Sequence, residues 1–418
     1  MEQAARVRCC VVGGGPAGMM LGLLLARAGV DVVVLEKHAD FLRDFRGDTI
    51  HPSTLEVVHE LGLLEEFLTL PHQEIRELRA QVGDVTLKIA DFGHLPTRCP
   101  FIAFMPQWDF LAFLARHASA YPTFQLRTRT EATGLLEEDG RIAGVEALAP
   151  EGRVQIGTDL VVAADGRHSV LRDRAGLSVE TLGAPMDVLW FRLPRTSGDP
   201  ANVMGRFDPG RIFITLNRGE YWQCGFVIAK GSLEALRARG LDAFRREVAR
   251  LAPYAAARID AIRSWDDVKL LTVQVDRLRR WSRPGLLCIG DAAHAMSPIG
   301  GVGINLAIQD AVAAANILSA PLASGRLSDD DLGRVQRRRE LPTRVIQRGQ
   351  LAIQDQFLRR ALERRGEVKV PLAMRLLQWF PVLRRIPARL VGVGIRPEHV
   401  RVPSADFRSG HRSQESRQ

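Results

Sequence analysis

The chain has 418 residues, 46% apolar and 25% charged, with 37 glycines and 22 prolines in no repeating pattern. That composition excludes wholesale disorder and a fibrous protein, and the length favours two or three domains over one core. The net charge of +9 is unevenly spread. Residues 334–418 carry 20 Lys+Arg against 7 Asp+Glu, a net of +13, and the remaining 333 residues carry 37 against 41, a net of −4.

The five cysteines, Cys9, Cys10, Cys99, Cys224 and Cys288, are odd in number and show no C-x-x-C spacing. Neither a zinc site nor a disulfide framework is expected, and reduced thiols in the cytoplasm are the preferred reading. The ten histidines are scattered, so no metal site is expected. No signal peptide is expected either, because the first apolar run, 7–12, is short and leads straight into a glycine loop. Nowhere do 18 apolar residues run without a charge, so no spanning helix is expected.

In chain order, residues 7–12 read as a strand, followed by Gly13-Gly14-Gly15-Pro16-Ala17-Gly18 and a helix over 19–28. Gly13, Gly15 and Gly18 give the G-x-G-x-x-G spacing: a tight turn, close approach of a pyrophosphate, and close helix–strand packing, with Ala17 in the same turn. The phosphates would meet the free N–H groups at the start of the helix. A second apolar strand, 30–35, ends in Glu36, placed to accept hydrogen bonds from a ribose. Residues 160–164 form an apolar strand running into Asp165-Gly166 with Arg172 downstream. Residues 286–289 repeat that pattern and lead into Gly290-Asp291, then Pro298, Gly300, Gly301, Gly303, Ile304 and Asn305, and a helix ending near residue 318.

Taken together, these three motifs resemble the flavoprotein monooxygenases of the para-hydroxybenzoate hydroxylase family, the single-component aromatic hydroxylases. The resemblance covers about residues 7–335. It implies an α/β fold, with a Rossmann-type FAD-binding domain interleaved with a β-sheet substrate domain, plus C-terminal helices. The expected FAD-binding segments are 1–72, 100–180 and 268–335, and the substrate sheet is drawn from 73–99 and 181–267. One helix over 233–251 is expected behind that sheet, and 336–418 reads as a basic helical segment. Two further positions match the family: Arg46, beside the flavin and its phosphates, and Gln107, opening a helix that contacts the flavin. The implied FAD-contacting set is Gly13, Gly15, Ala17, Gly18, Glu36, Arg46, Gln107, Asp165, Asp291, Gly303, Ile304 and Asn305.

The resemblance also implies the chemistry. NADH or NADPH reduces the flavin, the reduced flavin captures O₂ as a peroxide, and one oxygen passes to an electron-rich aromatic or polyketide-like ring. The cofactor carries the redox work while the protein orients and excludes water. Pro298 and Gly300, with Arg46 positioning the flavin, are expected at the reactive edge. His294 lies in the same loop, but the family commonly has histidine there without proton chemistry. Trp190, Arg192, Trp222 and Gln223 are candidates to face substrate. The absence of a tyrosine pair in these strands favours a bulky, weakly polar ring over a simple phenol.

Alternatives on the same fold are a flavin-dependent reductase, a Baeyer–Villiger oxygenase and a non-catalytic flavin-binding ligand sensor. A halogenase is disfavoured because Trp190-Phe191-Arg192-Leu193-Pro194 does not supply the Trp-x-Trp-x-Ile-Pro motif. Arg337-Arg338-Arg339 and Arg359-Arg360 are expected on solvated helix faces. For 372–393 a helix pair packed on the flavin-binding domain with its arginines in water is preferred over peripheral membrane contact, and no nucleic-acid module is present. The end of the chain, 404–418, is polar and expected to fray. The oligomeric state is left open.

Overall fold

The computed structural model of the protein describes residues 3–42, 49–83, 85–200, 204–355, 370 and 372–405. Arg46, Arg359 and Arg360, together with residues 406–418, lie outside that set. Strand β1 (Gln3–Val12), helix α1 (Pro16–Arg27) and strand β2 (Val32–Leu35) open the chain, followed by helix α2 (Pro52–Glu60). Next come strands β3 (Glu77–Val82) and β4 (Val85–Asp91), helix α3 (Gln107–Ala118), and strands β5 (Phe124–Arg127) and β6 (Gly152–Ala163). Four strands then run in succession: β7 (Met186–Pro194), β8 (Met204–Asp208), β9 (Arg211–Asn217) and β10 (Tyr221–Ala229). Helix α4 (Leu241–Leu251) precedes the short strands β11 (Lys269–Leu271) and β12 (Leu286–Cys288). The chain finishes through helices α5 (Gly303–Ala323), α6 (Asp329–Ile353), α7 (Leu372–Trp379) and α8 (Arg385–Gly392).

Strands β5, β2, β1, β6 and β12 lie side by side and all pair in parallel. Their buried centres, such as Val32 to Leu35, are continuous apolar runs, which is what a parallel sheet covered on both faces requires. Helix α1 packs against α3 and α5 over this sheet in one core. Helix α5 falls within Ile299–Ala323, a stretch apolar and long enough to span a membrane, but 72% of its most apolar window is buried.

The second sheet has the order β11–β7–β10–β9–β8–β3–β4, antiparallel except where β8 meets β3. Its side chains alternate between two faces, as the pleat dictates. Leu189, Phe191, Phe213, Cys224 and Phe226 pack against Phe244 and Val248 of α4. Met186, Val188, Ile212 and Val227 form the opposite face.

Two expectations change here. The single helix expected over 233–251 is two, Leu233–Ala238 and Leu241–Leu251, because Gly240 between them takes φ +86. Residues 269–271, expected in the returning flavin-binding segment, instead pair along β7 as the edge of the second sheet.

Candidate functional site

The parallel strands end in three loops at the same edge of their sheet. After β1, Gly13 takes φ +110, and a Cβ there would lie 2.3 Å from the Ala164 carbonyl oxygen. At Gly18 a Cβ would lie 1.9 Å from the Gly13 carbonyl oxygen, so α1 can sit this close to β1 only without a side chain. Gly15, the residue before α1, faces open space. Gly15, Pro16 and Ala17 therefore leave the N–H end of α1 accessible to an anion. Glu36, at the end of β2, is oriented by the Gly14 N–H, which donates to Oε2 at 3.0 Å, and the His38 N–H, which donates to Oε1 at 2.9 Å.

The second loop follows β6. Asp165 accepts from the Leu171 N–H at 3.4 Å through Oδ2, whereas its buried Oδ1 has no hydrogen-bond partner among the described residues. Burial raises its pKa above the usual carboxylate range, against the opposing pull of the Ser169 and Leu171 hydrogen bonds. Arg172, 6% exposed, clamps this loop to the third by donating to the Ala292 carbonyl (3.4 Å) and the Arg167 carbonyl (3.0 Å). Arg167 in turn pairs with Asp291 at 3.3 Å.

The third loop follows β12 and ends in α5. Gly300 and Gly301 take φ +76 and +63, and a Cβ on Gly301 would meet Thr49 Oγ1 at 2.6 Å. Pro298, Gly300, Gly303 and Ile304 border the same open space as the first two loops. Asn305 does not. Its Oδ1 accepts from the His51 N–H (2.9 Å) and the Thr54 hydroxyl (2.7 Å), and its Nδ2 donates to the Thr49 (3.3 Å) and Gly301 (3.4 Å) carbonyls. Asn305 fastens the glycine turn to the start of α2. Gly18 likewise lies off the cavity wall, on the side of α1 that packs against Gly13 and β1.

All three loops open into one cavity of about 1360 Å³, whose far wall is the second sheet. Gln107 borders it from the first turn of α3. Trp190 and Gln223 stand on its sheet wall, where Arg218 Nε donates to Gln223 Oε1 at 3.2 Å. Two expected substrate contacts do not reach it. Trp222, 1% exposed, points to the opposite face and donates its indole N–H to Asp199 at 2.8 Å. Arg192 lies further along β7, over the Tyr221 ring at 4.8 Å. Arg46 cannot be placed, being outside the described residues.

His294, 1% exposed, is not a cavity residue: Nε2 meets Asp310 Oδ2 at 2.6 Å. Asp310 also accepts from the Gly290 N–H (3.1 Å) and Arg339 Nε (3.0 Å). Burial alone would raise this carboxyl; His294 and Arg339 outweigh it and hold its pKa below the usual carboxylate range. Arg339 is therefore buried at 1% exposure, not solvated as expected, because its guanidinium ties α6 to α5 and to Glu398. Further along α6, Gln350 Nε2 donates to the Ser297 and Ile299 carbonyls, both at 2.9 Å, and its Oε1 accepts from the Ser297 N–H at 3.2 Å. Gln347 and Gln354 extend the clamp to Ala295 and the Ser297 hydroxyl. No sequence motif marks this polar row. Its signals were a lone charge, Asp310, in an apolar helix, and polar residues at helical spacing in α6.

A dinucleotide reaching from the first loop to the third would meet backbone N–H groups at the starts of α1 and α5, a fixed acceptor in Glu36, and the unpartnered Asp165 Oδ1. Glycine occupies the positions where a side chain would fill that path, so the residues fit FAD, and fold and site together define a flavin-dependent oxidoreductase. Residues 6–348 match the model of the FAD binding domain family. The chain is 33% identical to 6-methylpretetramide 4-monooxygenase of Streptomyces rimosus over 388 residues, 92% of each protein. Among solved structures, p-nitrophenol 4-monooxygenase from Pseudomonas putida DLL-E4 superposes with TM-score 0.74 at 21% identity, covering 94% of this chain and 96% of that one. A probable FAD-dependent monooxygenase from Pseudomonas aeruginosa gives 0.73 at 23%, covering 86% and 98%. At these identities the superpositions speak to the fold alone. The chain belongs to the FAD binding domain family and is an FAD-dependent monooxygenase.

Proposed function

We propose that the protein hydroxylates a multi-ring, weakly polar aromatic compound of polyketide type, with NADH or NADPH as hydride donor and O₂ as oxygen source. The observation that carries this reading is the single cavity of about 1360 Å³ joining the three loops to the second sheet. Pockets for one drug-sized ligand span roughly 300–1,000 Å³, so this one has room for a cofactor and a large substrate together. The likeness to 6-methylpretetramide 4-monooxygenase supports a polyketide-type substrate.

When bound, FAD supplies hydride acceptance and oxygen activation. Gly13, Gly15, Ala17, Glu36, Gln107, Asp165 and Asp291 hold it, while Gly18 and Asn305 shape the backbone around it. Backbone N–H groups of Gly300, Gly303 and Ile304, at and just before the start of α5, favour negative charge developing at the reacting edge. The apolar wall of Met186, Val188, Trp190, Ile212, Ile214 and Val227 keeps water from the reacting atoms. Gln223, its amide oriented by Arg218, gives the ring a polar contact. No tyrosine borders the cavity among the described residues, in keeping with a ring activated by its own substituents. In this reading 1–72, 100–180 and 272–335 serve the cofactor and the seven-stranded sheet serves the substrate. The five cysteines are buried and free, which suits a reducing cytoplasm.

The test is a panel of aromatic compounds offered to purified, FAD-loaded protein. Multi-ring phenols and quinones should stimulate NAD(P)H oxidation and gain one oxygen by mass. NAD(P)H oxidation with a saturated product and no oxygen uptake would favour the reductase alternative.

A further inference from the structure

Away from the cavity, the densest group of exposed apolar side chains lies at the end of the described chain. Leu372, Trp379, Phe380, Val382, Ile386 and Leu390 are each 48–64% exposed. The segment bearing them is not loosely attached. Gln378 of α7 accepts from the Lys88 N–H (3.2 Å) and donates to the Lys88 carbonyl (2.9 Å), fixing α7 to β4. Ala388 of α8 is fully buried beside Ala90 and Phe92, and a Cβ on Gly392 would lie 2.8 Å from Leu95 Cδ1. Two anchored helices thus hold an apolar row outward.

Along the segment that bears the row, the charge is of one sign. No acidic residue occurs between Glu367 and Glu398. Arg375, Arg385 and Arg389 are exposed and form no ion pair with any described residue; Arg375 lies over the Trp379 ring at 5.1 Å. Arg384 is engaged differently, donating to the Leu377 carbonyl at 2.8 Å. On its inner side α7 supplies Ala373 and Met374 to the cavity wall, so one helix separates the cavity from the patch.

We infer that this face docks the protein on an anionic lipid surface. Apolar and aromatic side chains flanked by arginines enter the boundary between headgroups and acyl chains, and lipid phosphates provide the anions the patch lacks. A second copy of the chain on the same face would instead bring unpaired arginines against one another with no carboxylate between them. Docking places the α7 side of the cavity at the acyl boundary, from which a lipophilic aromatic compound enters. That delivery role rests on the proposed function; the docking itself does not.

The experiment uses the full-length, FAD-loaded protein with phosphatidylcholine vesicles and with mixed phosphatidylcholine–phosphatidylglycerol vesicles. Co-sedimentation is expected with the mixed vesicles and not with phosphatidylcholine alone. It should be lost in Trp379→Ala/Phe380→Ala and weakened roughly tenfold or more in Arg385→Gln/Arg389→Gln, while all variants keep their yellow colour. Equal binding to both vesicle types, no binding, or binding indifferent to these substitutions would overturn the inference. So would a concentration-dependent dimer in ultracentrifugation abolished by Trp379→Ala/Phe380→Ala, which would assign the face to a second copy. A chain that binds vesicles but oxygenates nothing removes the functional reading alone; an active hydroxylase that ignores vesicles removes the docking alone.

Discussion

Gly15, just before α1, and Gly18, in its first turn, stand three residues apart and answer to different constraints. A Cβ on Gly18 collides with backbone at 1.9 Å, whereas one on Gly15 meets nothing within 4 Å. Gly18→Ala should therefore lower the melting temperature and leave the protein colourless. Gly15→Ala should melt like the parent when both are stripped of cofactor, yet bind FAD more weakly; calorimetry and flavin titration separate the two. His51 yields a pH prediction. Burial lowers its pKa from 6.5 to about 4, only partly offset by its hydrogen bond to the Val391 carbonyl. The folded state therefore binds fewer protons than the unfolded state between those values. The stabilisation is intact above pH 6.5 and is lost as pH falls towards 4, by about 3 kcal/mol. Thermal melts across this range should show the decline, and His51→Gln should flatten it. Of the residues at the site, Asp165 and Asp291 were legible in sequence because each ends an apolar strand next to a glycine, and Glu36 because it ends the apolar strand that follows the glycine loop. Trp222 was misplaced, since alternation along β10 settles which residues share a face but not which face meets the cavity.

Among the elements, α6 has a larger part than its charge suggested. Its arginine run 337–339 suggests a solvated face, yet its inward side carries Arg339, Gln347 and Gln350, continued by Gln354 at its end, which fasten α5 and the loop holding Pro298. Their partners, the Asp310 carboxylate, the Ala295, Ser297 and Ile299 carbonyls and the Ser297 hydroxyl, lie far away in sequence, so no local pattern announces them. Gln350→Leu strands a buried N–H and two carbonyls, a penalty of about 1–3 kcal/mol each before water or movement relieves it. The loop should loosen: flavin content should persist while the ratio of product to NAD(P)H consumed falls and hydrogen peroxide rises. Arg339→Met leaves Asp310 charged in the core with one ion-pair partner removed. A loss of about 3–5 kcal/mol is expected, measurable by denaturant titration. The break at Gly240 shows the complementary case, a helix stop that the glycine itself signals once its positive φ is known.

At the scale of the molecule, two sheets from interleaved segments face each other across one cavity, and in sequence the positive charge is concentrated in residues 334–418. The interleaving was legible because the three strand-end motifs are separated by stretches rich in alternating strands. The helix pair over 372–393 was legible too, but not where it packs: it was expected on the flavin-binding domain, whereas single residues, Gln378 and Ala388, anchor it to β4 and its neighbours in the second-sheet segment. The central claim is that this cavity brings an aromatic ring to a flavin that uses O₂. The most direct measurement is turnover of a multi-ring phenol under isotopically labelled dioxygen in ordinary water. Product carrying one labelled oxygen per NAD(P)H consumed is the expected result; an oxygen drawn from water, or a product without added oxygen, would contradict it.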